Sequence, residues 1–364
     1  MKQINEYLSK KISFLSLISM IAVVFTHAYN YTDTFLQPHT IITEGLHPVA
    51  CIQYAISNAF TRFAVPMFFM ISGFLFFAGK KFGVSTYVNQ VKKRCKSVLS
   101  VFLIFSVLSF VICHLIYRFT GAGIIGMIDE RIIHHPLYAL LQNPFAFQLW
   151  FLAQLFIMSI VSPVIYFLIK RLKFIFPIIL ACLWFMDKHL VVGGYTLFNS
   201  DAYLFFTLGA YIAINELNFK TLYEKIENKK AWIASLIMWI AIVTAYTLFS
   251  ATAEKSSCIQ LVLYKLSVIL GVVTVWLSYD RFSARLLNHP VTETLTENNF
   301  MVYLLHEPLL HIIFMSTITY FKADIVHILL YFLLPVIIIL LCAYIGKLLR
   351  NKCPKLNSIL TGGR

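Results

Sequence analysis

Five ionisable side chains stand inside long apolar runs of this sequence: His27, Arg62, Lys265, His306 and Glu307. An ionisable group in hydrocarbon costs about 2.5–3.5 kcal/mol on insertion scales, so each demands a partner or a task. An imidazole titrates near neutrality and takes a proton from an attacking hydroxyl, which makes His27 a candidate general base. A guanidinium is a fixed cation suited to phosphate or to a developing oxyanion, which makes Arg62 its candidate electrostatic partner. Measured at ~1.5 Å per residue from the inner ends of their runs, His27, Arg62 and Lys265 lie about 22, 24 and 21 Å up. Three polar groups at one level on three helices point to a shared cavity in the outer half of a membrane. By the same rise His306 reaches only about 12 Å, and its place in that cavity stays open.

Each residue also has a plainer reading. His27, in Val23-Val24-Phe25-Thr26-His27, can face lipid headgroups, and Arg62 can snorkel to the surface. Pro66 has no N–H and clashes with the carbonyl of Arg62, so the helix should kink beside the guanidinium and free a carbonyl there. Ser72 and Gly73 complete that stretch. His306-Glu307-Pro308 repeats the theme of ionisable groups followed by proline. His306 and His311 are five residues apart and differ by ~140° around a helix, so they do not make a zinc pair. Trp150, in Gln148-Leu149-Trp150-Phe151-Leu152, reads first as an aromatic-belt residue and second as a stacking surface for substrate. Lys265 has no partner readable from the sequence. The outer loops at 31–47 and 119–144 are long enough to cover a site.

The elements that must hold these groups are membrane helices. Of 364 residues, 59% are hydrophobic and 13% charged, with a mean hydropathy of +0.78. A soluble domain has about 25% charged residues. The apolar residues fall in runs at 12–30, 48–78, 97–118, 145–169, 174–191, 198–214, 231–250, 257–279, 298–318 and 325–347. Most are near the ~20 residues that cross ~30 Å of hydrocarbon. The second is too long for a straight span and should begin tilted or interfacial. The expected fold is therefore all-α, a polytopic bundle of about ten transmembrane helices, and no polar stretch leaves room for a separate soluble domain within 1–364. The first run lacks a small-residue cleavage site and reads as a retained helix.

With the N-terminus inside, alternate loops hold 23 basic residues on the cytoplasmic side and five outside, and the remaining two, Arg62 and Lys265, lie within helices. That asymmetry places both termini in the cytoplasm. It also assigns the formal charge of +14 to membrane orientation and excludes nucleic acid as a partner. Seven cysteines (Cys51, Cys95, Cys113, Cys182, Cys258, Cys342 and Cys353) contain no CxxC pair, so neither a zinc knuckle nor a disulfide framework is read from them. No internal repeat is visible.

These features together resemble the bacterial acyltransferase family 3 of integral-membrane proteins. The resemblance rests on the histidine late in helix 1 (His27), on Arg62-x-x-x-Pro66-x-Phe68-Phe69-x-x-Ser72-Gly73-Phe74, on Leu149-Trp150-Phe151-Leu152 and on Tyr303-Leu304-Leu305-His306-x-Pro308. It implies transfer of an acyl group, commonly acetyl from acetyl-CoA, to a hydroxyl of a cell-surface polysaccharide or its lipid-linked precursor, at the bacterial inner membrane. No metal or tightly bound cofactor is implied, and acyl-CoA is the donor substrate. His27 and Arg62 would be catalytic, with Trp150, Lys265, His306 and Glu307 binding substrate and Pro66, Ser72 and Gly73 shaping the motif. Many members carry an acidic residue soon after the histidine; Asp33 is the nearest candidate here. A covalent acyl-enzyme on His27 or Ser72 is a second chemical route. Because acyl-CoA is cytoplasmic and the polar level lies in the outer half, the pantetheine arm threads between helices, the acyl group is relayed, or the acceptor reaches inward. The competing class is a transporter or flippase, which also places ionisable groups beside kinked helices but often shows internal repeats.

Overall fold

A computed structural model of the chain describes residues 6–32, 36–120, 146–192, 195–217, 229–286, 289–321 and 323–363. Asp33 and most of the expected outer loop at 119–144, with His134 and His135, lie outside the described residues. Helices α1 (Glu6–Thr26), α2 (Pro48–Asn58), α3 (Ala64–Phe77), α4 (Val84–Arg94) and α5 (Ser100–Thr120) form the first half. Then follow α6 (Trp150–Leu172), α7 (Ile175–Phe185), α8 (Ser200–Ile214), α9 (Lys229–Thr252) and α10 (Cys258–Leu286). The chain closes with α11 (Pro290–Glu297), α12 (Asn299–Tyr320), α13 (Asp324–Lys352) and α14 (Pro354–Thr361). It is a polytopic all-α membrane protein: among the described residues, seven helical stretches are long and apolar enough to cross a bilayer. The faces these helices turn outward carry residues such as Val107, Val111, Phe167, Ile237, Leu333 and Ile337, as contact with lipid requires.

Each of the ten apolar runs becomes helix, with two informative departures. Run 48–78 breaks in the middle. Helix α2 stops at Asn58, a 3₁₀ turn covers Phe60–Phe63, and α3 starts at Ala64. Pro66 thereby falls in the first turn of α3, where its missing N–H has no helical partner to lose. The bend lies where Arg62 sits, as the proline demanded. Run 174–191 yields a helix of only 11 residues, and α8 has 15. At ~1.5 Å per residue these cover about 16 and 22 Å, short of a full crossing. After α7 the chain turns at Asp187 with a positive φ of 52° and enters a hairpin, β1 (His189–Val192) against β2 (Tyr195–Asn199). The strands are antiparallel, pairing His189 with Asn199 and Val192 with Tyr195, with a register shift between Leu190 and Val191.

Glycine sets the tightest helix contact. A Cβ placed on Gly73 of α3 would lie 2.0 Å from the carbonyl oxygen of Phe206, and one on Gly209 of α8 would lie 1.9 Å from that of Met70. Helices α3 and α8 therefore touch backbone to backbone, the device by which membrane helices gain packing where lipid supplies no hydrophobic drive. At one end of the bundle Lys11 of α1, 2% exposed, pairs with Asp280 of α10 at 2.9 Å beneath the ring of Trp276. Arg350 of α13 reaches Glu297 of α11 at 2.8 Å, and Gly362 rests on Ser97 at that same end. Lys92, Lys93, Arg94 and Lys96 are there too, so this is the basic end.

Candidate functional site

The described helices enclose a cavity of about 750 Å³, within the range of small-molecule sites. One stripe of α1 lines it: Ser16, Met20, Val23 and His27, spaced by four, three and four residues. That spacing is one helix face, and from Ser16 to His27 it runs about 16 Å. The facing stripe of α3 contributes Val65, Phe68, Ser72 and Leu75, with Trp150 and Phe151 of α6 and Phe300 and Tyr303 of α12 closing the walls. The cavity is a shaft with aromatic and aliphatic sides. At the basic end it is lined by Lys93, Arg94, Lys96 and Ser97, and at the other by His27, Gln148 and Trp150.

His27 is held by the way α1 ends. The helix tightens there, with the amides of His27 and Ala28 donating to the carbonyls of Val24 and Phe25 at 3.2 Å. The hydroxyl of Ser57 donates to the Phe25 carbonyl at 2.6 Å, and Thr26 Oγ1 donates to Thr61 Oγ1 at 2.8 Å, so α2 and the 3₁₀ turn clamp the last turn of α1. Three residues on, Asn30 and Gln53 exchange hydrogen bonds at 2.7 and 3.1 Å, and Asn30 Nδ2 donates to the His327 carbonyl at 3.2 Å. All three residues are buried. Satisfied polar networks of this kind fix one geometry.

His306 lies with its ring centroid 5.5 Å from that of His27. Its Nδ1 is 3.0 Å from the Val302 carbonyl and 2.9 Å from that of Tyr303. Two carbonyls accept only, so Nδ1 carries the proton and Nε2 presents a lone pair. That Nε2 is buried and has no hydrogen-bond partner among the described residues. The low height estimated for His306 missed the pairing because α12 starts deep: Asn299, its first residue, donates to the carbonyl of Ser16 at 3.0 Å, well up α1.

Gln148 is a site residue that sequence reading passed over. Pro308 has no N–H, so it leaves the Leu304 carbonyl of α12 without a helical donor, and Gln148 Nε2 fills that place at 3.2 Å. Tyr303 in turn donates to the Gln148 carbonyl at 2.6 Å. Gln148 Oε1, buried on the cavity side of this lock, has no hydrogen-bond partner among the described residues and is an acceptor waiting for a ligand N–H or O–H. Trp150, the stacking candidate, lines the shaft and tilts against Phe69 with ring centroids 6.1 Å apart.

Arg62 and Lys265, expected at the level of His27, do not line its cavity. Arg62 Nη2 donates to the Leu36 carbonyl at 2.8 Å, holding a strap formed by residues 36–47. Asn58, Gln260 and Ser256 donate to carbonyls of the same strap, at Gln37, Thr40 and His39. Lys265 is 1% exposed, pairs with Asp187 at 2.7 Å and lies over the Trp184 ring at 4.6 Å. The imidazole of His39, 3.7 Å away, and the directly bonded Lys265 hold the Asp187 carboxyl well below the usual carboxylate range. Equal height fixes only one coordinate; the direction around each helix axis separates the two groups. Glu307 is 1% exposed and its Oε2 has no hydrogen-bond partner among the described residues, yet it is not in the cavity lining. Ser72 lines the shaft, whereas Pro66 and Gly73 shape α3 behind it. Among the described residues no three His, Cys, Asp or Glu side chains converge as a metal site requires.

His27 lines one end of this apolar shaft with buried His306 packed against its ring, and a cationic cluster lines the other end, an arrangement that suits moving a proton at the far end of a long anionic ligand. A family model described as an acyltransferase domain matches residues 11–345. The chain is 26% identical to the succinoglycan biosynthesis protein ExoH of Rhizobium meliloti (strain 1021) over 372 aligned residues, covering 98% of this chain and 92% of that protein. No solved structure is a significant match.

Proposed function

Because the chain belongs to the acyltransferase domain family, we propose that it moves an acyl group, acetyl first among candidates, from acyl-CoA to a hydroxyl of a cell-surface polysaccharide or its lipid-linked precursor. The shaft carries this reading. Its basic mouth suits the phosphates of CoA, its apolar length suits the pantetheine arm, and His27 stands where the thioester would arrive. Of the three donor routes, threading between helices is the one that the shaft supports. The excess of basic residues at this end supports a mouth facing the cytoplasm of a bacterial inner membrane, where acyl-CoA is made. The similarity to a succinoglycan biosynthesis protein supports a glycan acceptor.

In the proposed reaction His27 takes the proton of the acceptor hydroxyl as its oxygen attacks the thioester carbonyl. The new C–O bond forms, the C–S bond breaks, and the proton passes from the imidazole to the departing thiolate. His306, its tautomer fixed by two backbone carbonyls, positions the His27 ring. Gln148 Oε1 accepts from the pantetheine amide or the acceptor, and Trp150 flanks the acyl group. Arg62 is assigned to positioning: it holds the strap beside the turn that ends α1. Lys265 is assigned to the ion pair that turns the chain after α7.

The test is release of free CoA by purified protein given acetyl-CoA and a surface-glycan fraction. Release that needs the acceptor, falling ~10²–10⁴-fold in His27→Ala, is expected. Near-normal release in that variant removes the base, and solute uptake into vesicles without CoA release makes the protein a transporter.

A further inference from the structure

We propose that the Gly362–Gly363 turn is one wall of a phosphate clamp, closing with Lys93, Arg94 and Lys96 on the nucleotide end of the donor. This rests on the acyl-CoA reading above and adds to it the residues that would grip the donor.

The two glycines do different work. Both have positive φ, 66° and 82°. Gly363 N–H donates to the Ser358 carbonyl at 2.8 Å and Gly362 N–H to that of Ile359 at 3.4 Å, the paired bonds that end a helix in a left-handed turn. A Cβ on Gly362 would lie 2.5 Å from Ser97 Cα and 2.6 Å from the Lys96 carbonyl oxygen. The turn therefore sits backbone to backbone on a π turn, Cys95–Leu99, that follows α4. Such wide turns within helices are frequent at functional sites. A Cβ on Gly363 would meet nothing nearer than 3.9 Å, since Gly363 faces the cavity. Helix α14 anchors the turn through buried Asn357 and Thr361, the latter donating to the Asn357 carbonyl at 2.7 Å.

Charge at this mouth is unbalanced. Lys93, Arg94 and Lys96 line it, and none has an ion-pair partner among the described residues. The carboxylate in the described lining, Glu297, is already held by Arg350 at 2.8 Å. Lys80 stands close by; burial, then the nearby charges of Arg94 and Lys93, push its ammonium pKa down. Like charges held together without a counter-ion are costly, and a polyanion relieves the cost. A free phosphate compound and a lipid headgroup share that chemistry, but the clamp opens directly into the shaft that ends at His27, which favours the nucleotide donor.

The experiment measures CoA binding to the full chain in phosphatidylcholine nanodiscs, for wild type, Gly362→Ala and the double variant Lys93→Gln/Lys96→Gln. Each variant should bind CoA at least tenfold more weakly, with an unchanged melting temperature in the lysine pair. Inhibition by pantetheine, which has the arm but no phosphates, should be the same in all three. Wild-type binding of CoA with undiminished binding in the lysine pair overturns the clamp while leaving the donor reading intact. Wild type that binds no CoA at all overturns the donor reading and the clamp with it. Displacement of CoA by phosphatidylglycerol at equal concentration assigns the cations to a headgroup and also overturns the proposal. Gly362→Ala that binds normally removes the glycine wall even if the lysines matter.

Discussion

Gly73→Ala adds one methyl group where α3 crosses α8. That methyl would stand 2.0 Å from the Phe206 carbonyl oxygen and 2.8 Å from its carbonyl carbon, whereas real Cβ atoms essentially never approach within 3.0 Å. The two backbones must therefore part by about 1 Å, because both obstructing atoms belong to a helix and no side-chain rotation clears them. In an open helix alanine is favoured over glycine by about 1 kcal/mol. Overpacking at a fixed contact costs typically 1–3 kcal/mol, and an overlap this deep belongs at the upper end. The net expectation is a loss of about 1–2 kcal/mol, read as a melting temperature lower by a few degrees. Phe68, Ser72 and Leu75 of the shaft wall move with α3, so CoA release should fall further than the folded fraction does. Thermal unfolding by intrinsic fluorescence in one detergent checks the first effect and the CoA-release assay the second. Gly209→Ala should behave alike, and the double variant should cost less than the sum, since one displacement relieves both contacts. Melting temperatures equal to or above wild type in both single variants would refute the packing argument.

Three other substitutions probe separate parts. Met20→Trp, halfway along the α1 stripe, should block the shaft and abolish CoA release while the protein stays folded; retained turnover would show that the donor travels elsewhere. His306→Phe should lower kcat about 10²-fold through misplacement of His27, with little change in the donor KM; equal loss in both parameters would move His306 to binding. Asp187→Asn removes the direct partner of buried Lys265 and should cost about 1–2 kcal/mol, less than a fully buried pair because Asp187 is 35% exposed. Since the Asp187 carboxyl is held below its ordinary range, its contribution is complete above about pH 5 and is lost progressively as pH falls towards the depressed value. Wild type should thus lose melting temperature between pH 5 and pH 3 more steeply than the asparagine variant does, and parallel curves would dismiss the ion pair.

The helices were legible because hydropathy over about 20 residues reports a single dominant force, the transfer of apolar side chains into lipid. The break at Arg62 was legible too, from Pro66 alone. The hairpin at 189–199 was not: its strands are short, and the turn into it depends on Asp187 reaching Lys265, a residue 78 positions away. Height along a helix can be counted from sequence, which is how Arg62, Lys265 and His27 came to share a level. Azimuth cannot be counted once helices tilt and neighbours are unknown, and azimuth puts Arg62 on the strap and His27 in the shaft. His306 was placed too low because counting assumes that every helix starts at the membrane edge. The mouth joins a π turn near residue 96 to a glycine pair near 362, and nothing local in either segment announces the other. Gln148 carried one usable signal: a buried amide beside a helix whose proline leaves a carbonyl unpaired.

The most direct measurement is an experimental map of the protein in a bilayer mimetic with a non-hydrolysable thioether analogue of acetyl-CoA. Its phosphates should lie among Lys93, Arg94 and Lys96, its arm should follow Ser16, Met20 and Val23, and its acyl carbon should come within reach of His27. An analogue seated outside this channel, or one whose acyl end lies among Arg62, Lys265 and Asp187, would contradict His27 as the base.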